Sequence, residues 1–216
     1  TMPESMSIER RKMLALLGAR IELTEISKGM NGAIEKAKQL QSEIVGSIIP
    51  QQFENEANPE IHKCTTGEEI WSDSGGKIDF FVSGVGTGGT LTGVGTVLKE
   101  RNPKVKIIAI EPKDSSVLSG GSAGPHKIQG IGAGFIPKIL NIGLIDQIIK
   151  IDNDLAIDTA KQVARLEGLP VGISSGAALA GAEKIAKKSS SKGKRIVVII
   201  PSFAERYMST ALFDNL

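Results

Sequence analysis

Apolar residues along the chain recur with two different periods, and the switches between those periods divide it into elements. Residues 8–17 carry Met13, Leu14 and Leu17 on one side of a helix, with Ser7 ahead of it and Gly18 placed to stop it. Residues 20–23 alternate as a strand does. Helical spacing returns over 32–44 through Ile34, Ala37 and Leu40, and 47–49 form a short apolar run. Helix, strand, helix, strand predicts parallel pairing through crossovers, although two strands and two helices do not close a unit by themselves. The polar, turn-rich segment 51–59 marks a crossing between domains. Residues 1–50 therefore read as the remainder of a smaller domain and 51–216 as a larger one.

A further helix is expected over 60–71, carrying His62, Cys64 and Trp71. His62 and Cys64 are two apart and so lie on different faces, which argues against a shared metal; each reads as a core or solvated side chain. After the apolar run that begins at Ile78, the spacing predicts a helix over 91–99, a strand over 105–110 and a long glycine-dense irregular region over 111–141. Within that region GPHKIQGIGAGFIP concentrates four glycines, suiting close backbone approach to a ligand, while His126 reads as part of an exposed turn. A strand over 146–151 leads to a helix capped by Asp152 or Asn153 and running to about 167, and a buried-type strand follows over 195–200. The expected fold is α/β, a parallel-type sheet flanked by helices, with part of a second, smaller α/β domain at the N-terminal end.

Composition narrows the function classes. Lys and Arg total 26 against 24 for Asp and Glu, so the net charge is only +2. The basic residues are scattered, which does not indicate nucleic acid. No apolar run is long enough to cross a bilayer as a helix. Cys64 is the single cysteine and allows no internal disulfide. The first residues, TMPESMSIERR, lack an apolar targeting core and read as the exit of a strand already under way. A cytoplasmic protein is the expectation.

Candidate chemistry centres on IDFFVSGVGTGGTLTGVGT, in which a short apolar run gives way to glycines and threonines and then to a segment able to become a helix. Gly86, Thr87, Gly88, Gly89 and Thr90 offer consecutive backbone N–H groups and two hydroxyls, and a helix starting near Thr90 adds its positive end. A phosphate is the expected guest, and a plain strand-to-helix turn would use the same glycines. Gly84, Gly86 and Gly89 also satisfy G-x-G-x-x-G, and Glu111 follows at the spacing of a ribose-binding acid. Local spacing thus admits both a dinucleotide and a simpler phosphate-bearing cofactor. GLPVGISSGAA repeats the logic with Ser174 at a strand-to-helix junction, where its hydroxyl can face a cleft or simply cap the helix.

Taken together, TMPESMSIERR, NPEIHKCTTGEEIW, GVGTGGTLTGVG, GPHKIQGIGAGFIP, GISSGAA and PSFAERYMST resemble the cysteine synthase (O-acetylserine sulfhydrylase) family along the whole chain and in order. That family belongs to the fold-type II enzymes that use pyridoxal 5'-phosphate, and the resemblance resolves the opening ambiguity in favour of this cofactor. By the same likeness Gly86, Thr87, Gly88, Gly89 and Thr90 hold its phosphate and Ser174 faces the pyridine nitrogen. Gln52 lies near the substrate carboxylate and Gly130 lines the substrate entrance. The implied reaction replaces the acetate of O-acetylserine by sulfide. The implied partners are a second copy in a homodimer and a serine acetyltransferase whose C-terminal peptide enters the cleft. The lysine that attaches the cofactor and the T-S-G-N-T-G substrate loop lie upstream of Thr1 in the family pattern. No catalytic residue is therefore expected in this chain, and alone it is expected to be inactive. Phe203 and Ala204 depart from smaller or more polar residues in many relatives and bear on packing near the cofactor ring. The competing expectations are a cystathionine β-synthase-like enzyme, a non-catalytic partner that keeps peptide binding, and a nicotinamide-dependent oxidoreductase.

Overall fold

In the computed structural model, which describes residues 1–214, two separate parallel sheets carry the chain. The first is minimal: β1 (Met2–Pro3) pairs with β2 (Leu23–Thr24), with α1 (Ile8–Leu16) between them and α2 (Gly29–Glu43) after them. The strand expected over 20–23 therefore begins at its last residue. The apolar run at 47–49 forms no strand at all, and Ile48 stands 85% exposed. Apolar character without a neighbouring strand to accept its N–H groups does not make a strand.

The larger sheet holds four strands in the order β5-β4-β3-β6: β3 (Phe80–Gly84), β4 (Lys106–Pro112), β5 (Gln147–Ile151) and β6 (Ile196–Val198), all parallel. Ahead of β3 lie α3 (Ala57–Cys64) and α4 (Thr66–Asp73), where the sequence predicts one helix. The break falls at Thr65, with φ −120° and ψ −79°, and its hydroxyl donates back to the Ile61 carbonyl at 2.6 Å. A threonine that bonds its own preceding turn offers the backbone an alternative to continuing the helix. Between β3 and β4 runs α5 (Gly89–Arg101), and α6 (Asn153–Glu167) and α7 (Ile173–Ala186) connect β5 to β6. Asp152 caps α6, its carboxylate accepting from the Leu155 N–H at 2.9 Å.

Successive residues of a strand face opposite sides, and both sides of this sheet are buried. Phe81, Ile107 and Ala109 pack toward α5 with Leu91, Val94 and Leu98, whereas Val82, Ile108 and Ile110 pack toward α6 and α7 with Ile157, Ile173 and Ala177. Small residues let the second layer come close: a methyl on Gly181 would overlap Ile110, and one on Gly176 would overlap the Ala156 carbonyl.

From β3 the chain steps outward to β4 and β5, then returns through α6 and α7 to β6 on the other side of β3. Parallel α/β sheets open a crevice at such a reversal, beyond the carboxyl ends of the strands. The reversal therefore singles out the ends of β3 and β6 as the place to look for a ligand.

Two packing features carry measurable consequences. A methyl at Gly93 would overlap the Pro59 carbonyl and sit 2.7 Å from His62 Cβ, so Gly93→Ala is expected to lower stability in urea by about 1–3 kcal/mol. Burial by itself would raise the Asp146 carboxyl, but hydrogen bonds from Lys99, the Ile107 N–H and Lys106 hold it below the usual aspartate range. A carboxyl depressed in the folded state stabilises the fold above its unfolded value, near 4, and loses that contribution as pH falls through the folded value. Asp146→Asn should consequently cost more stability at pH 7 than at pH 3 when urea midpoints are compared.

Candidate active site

Beyond the carboxyl ends of β3 and β6 lies a cavity of about 280 Å³. Its floor is the turn that leaves β3, with Gly84, Gly86, Thr87, Gly88 and Thr90 on the lining. Gly88 takes φ +85°, the left-handed conformation that aims successive N–H groups at one point, and it caps α5, which starts at Gly89. The helix expected near Thr90 thus begins one residue earlier and directs its positive end at the cavity. Gly89 itself is buried against the Asn58 side chain and has no room for a methyl group.

Ser174 reaches the same cavity from the opposite side. It does not cap α7, because Gly172 holds that position and Ser174 is the second helical residue. Only 4% of the residue is exposed, and the positive end of α7 lies beside its hydroxyl. Next to it, the Ser175 hydroxyl donates to the Ser202 carbonyl at 3.3 Å and the Gly172 N–H donates to the same oxygen at 2.8 Å, tying α7 to the segment that leaves β6.

A third wall is the glycine strap around Gly130, which takes φ +96° and lies on the lining with Ile131. The Gly130 carbonyl abuts Gly86 so closely that a β-carbon there would overlap it. Two residues further on, the Gly132 N–H donates to the Val85 carbonyl at 2.9 Å, and the Gly132 carbonyl accepts from His126 Nε2 at 3.0 Å. His126 is therefore a brace within the strap, half-buried, where the sequence suggested an exposed turn.

Gln129 carries the strap to the N-terminal part of the chain. Its side-chain oxygen accepts from Arg10 at 2.9 Å and from the Ser7 N–H at 3.3 Å, and its amide nitrogen donates to the Ser5 carbonyl at 3.2 Å. The Ser7 hydroxyl donates to the Arg206 carbonyl at 2.6 Å, and Arg10 lies over the Tyr207 ring. Arg10, Arg206 and Tyr207 all line the cavity; they lie in the stretches TMPESMSIERR and PSFAERYMST, which by themselves assign them no site role.

Of the residues singled out in the sequence, Gly86, Thr87, Gly88, Thr90, Gly130 and Ser174 converge on one cavity. Gln52 does not line it: the residue is exposed and its backbone carbonyl accepts from Asn58 Nδ2 at 2.9 Å. Phe203 is 58% exposed, so its bulk is turned to solvent. Glu111 is 2% exposed, and its carboxylate accepts from the Leu118 N–H at 2.9 Å, the Ser119 N–H at 3.1 Å and the Ser119 hydroxyl. A carboxylate committed to three donors of its own chain is not placed to hold a ribose. Two residues to which the sequence assigns no site role, Asn58 and His62 of α3, bond the Thr87 and Thr90 hydroxyls through their side chains at 3.0 and 3.1 Å. Their spacing of four puts them on one helix face, and that was the available signal.

The arrangement is chemically selective. Backbone amides, two hydroxyls and a helix terminus at one end suit a phosphate, and a neutral hydroxyl at the other suits a weakly polar ring atom. Among the described residues no group of acidic, histidine or cysteine side chains could hold a metal ion, and no helix is long and apolar enough to cross a membrane.

Comparison with known proteins agrees with this geometry. The family model for "Pyridoxal-phosphate dependent enzyme" matches residues 1–202. A cysteine synthase of Staphylococcus aureus is 55% identical over 215 residues, covering 99% of this chain and 69% of the relative. The crystal structure of a cysteine synthase from Entamoeba histolytica superposes with a TM-score of 0.92 at 45% identity, over 100% of this chain and 64% of its own. That of an O-acetylserine dependent cystathionine beta-synthase from Helicobacter pylori gives 0.91 at 39%, over 98% of this chain and 68% of its own. The chain thus spans about two thirds of the length of these relatives. By family match, by identity and by the superposition of its fold, the chain belongs to the pyridoxal-phosphate dependent enzymes, in the fold-type II group that contains the cysteine synthases.

Proposed function

We propose that the intact protein is a cysteine synthase, replacing the acetate of O-acetyl-L-serine by sulfide to give L-cysteine. The observation that carries this reading is the single cavity bounded by the 86–90 loop at one end and Ser174 at the other. The residues present fit the cofactor. Glycines at 86 and 89 let the loop pack directly on the Gly130 carbonyl and the Asn58 side chain, contacts that a β-carbon at either position would break, and Thr87 and Thr90 line the cavity. Pyridoxal phosphate, when bound, supplies the electron sink that lets a β-substituent leave an amino acid.

Everything else in this reading is positioning by the chain. The amides and hydroxyls of 86–90 hold the phosphate and so fix where the ring lies. A neutral hydroxyl, unlike a carboxylate, does not force a ring nitrogen beside Ser174 to stay protonated, and the positive end of α7 disfavours a cation there, which suits β-elimination over transamination. Gly130 and Ile131 give the substrate a wall without charge. Gln52, off the cavity lining but tied to Thr87 of the loop through Asn58 Nδ2, is the proposed partner of the substrate carboxylate, since its amide adds no titrating group. In the overall reaction the Cβ–O bond breaks, acetate departs, a Cβ–S bond forms, and the α-proton is lost and regained. Lysine is absent from the cavity lining among the described residues. The lysine that attaches the cofactor and moves that proton is accordingly assigned to no residue of 1–214.

The same reading carries a cytoplasmic homodimer of two domains that meet near residue 50, and docking of a serine acetyltransferase C-terminal peptide in the cleft. Its nearest rival is cystathionine β-synthase chemistry, favoured by the likeness to the Helicobacter pylori enzyme. Offering sulfide and homocysteine to the intact enzyme with O-acetylserine decides between them: cysteine formed faster from sulfide supports the proposal, and preferred cystathionine formation refutes it.

Two substitutions probe the two ends of the cavity. Gly86→Ala places a methyl on the Gly130 carbonyl, so pyridoxal phosphate affinity should fall by about tenfold or more in an absorbance titration, a loss on the order of 1.4 kcal/mol. Ser174→Ala keeps its position neutral and should retain turnover within about tenfold, the worth of one neutral hydrogen bond. Ser174→Asp introduces an anion that favours a protonated ring and should lose far more, as read from initial rates.

A further inference from the structure

Helix α3 contributes two polar side chains one turn apart, and each meets one hydroxyl of the phosphate loop. The first case is settled by counting protons. Thr87 Oγ1 accepts from Asn58 Nδ2 at 3.0 Å and from the Gly89 N–H at 3.3 Å. Asn58 must present its nitrogen there, because the same nitrogen also donates to the Gln52 carbonyl. With both lone pairs of Thr87 engaged, its own proton is left for something outside the loop.

Thr90 is set differently. His62 bonds the Thr90 hydroxyl through Nε2 at 3.1 Å and the Thr66 hydroxyl through Nδ1 at 2.9 Å. A neutral imidazole carries one N–H, so two arrangements are open. With the proton on Nδ1, Thr90 must donate to Nε2, and its oxygen then turns lone pairs toward the cavity. With the proton on Nε2, Thr66 donates to Nδ1, Thr90 accepts from the ring, and its hydroxyl proton points into the cavity beside that of Thr87. Only the second arrangement gives an anion two hydroxyl donors.

We propose that His62 is a positioning residue, neutral and protonated on Nε2, whose bond to Thr90 makes that hydroxyl a donor to a phosphate, with Thr66 holding the tautomer. Burial lowers the basicity of the ring, which agrees with its being neutral near pH 7. The packing leaves little choice of position, since Gly93 lies against His62 Cβ and Gly89 against Asn58, so α3 cannot withdraw without opening the site. His62 touches neither substrate nor cofactor in this account; it acts through Thr90.

The inference rests on the reading of the 86–90 loop as the phosphate site, and the experiment keeps the two apart. The intact protein, labelled with nitrogen-15 histidine, is studied by long-range proton–nitrogen correlation with and without pyridoxal phosphate. His62→Gln identifies the His62 signals against those of the other histidines. With the cofactor in place, the expected pattern is an unprotonated Nδ1 and a protonated Nε2. His62→Gln, whose amide can donate from nearly the same point, should bind pyridoxal phosphate within about threefold of wild type, and His62→Phe should bind it about tenfold more weakly. A proton on Nδ1 with the cofactor bound would overturn the proposal. So would His62→Phe binding as tightly as wild type, or folded His62→Gln binding as weakly as His62→Phe. If no form takes up the cofactor, wild type included, the reading of the loop itself is refuted and the inference falls with it.

Discussion

Where the Gly130 carbonyl lies against Gly86 and the Gly132 N–H bonds the Val85 carbonyl, two segments more than forty positions apart meet backbone to backbone. No side chain larger than hydrogen fits at Gly86, so the 86–90 loop and the strap are fixed relative to each other by main-chain geometry alone. A main-chain contact has few soft degrees of freedom. It places the N–H groups of the loop without relying on rotamers, which is what a preorganised anion site requires. The rest of the cavity is built outward from that contact: α5 takes its direction from the loop, and the strap carries the wall that faces Ser174.

Electrostatics then separates the two ends. Helices α5 and α7 both direct N-termini at the cavity, yet they meet different chemistry. At α5 the positive end combines with the amides and hydroxyls of the loop, an environment that suits the phosphate proposed for it. At α7 the first turn presents a neutral serine, and the same positive end makes a poor partner for a cation. One helix end thus suits the proposed anion, while the other disfavours a cation at the far side of the same cavity. The fold provides both from one feature, the reversal of strand order between β3 and β6, which brings two helix starts to the same edge of the sheet.

Much of this was legible in the sequence because it is local. A loop of glycines between a strand and a helix is written in consecutive residues, and so is Ser174 ahead of a run of alanines. The strands of the larger sheet were also visible, since burial on both faces makes continuous apolar runs. The failures share a different cause. Residues 47–49 are apolar but have no strand beside them, and the predicted helix over 60–71 is split by the Thr65 hydroxyl bonding its own turn. His62 and His126 were read as bland because their partners, Thr90 and Gly132, are defined by packing. Arg10 and Gln129 are 119 positions apart in sequence and 2.9 Å apart in space, a relation that no periodicity contains.

Glu111 shows how spacing and chemistry come apart. The chain carries G-x-G-x-x-G at the end of a strand and an acid at the end of the next strand, the pattern of a dinucleotide fold. That pattern names a residue type at a position, whereas recognition of a ribose diol needs free lone pairs on the carboxylate. Here those lone pairs accept from Leu118 and Ser119, and the acid serves to hold the short helical turn that leads into the strap. An acid so used supports the glycine wall of the cavity instead of reading a sugar. The same glycine spacing therefore fits a small phosphate-bearing cofactor, and the deciding quantity is how many donors the fold has already pointed at one side chain.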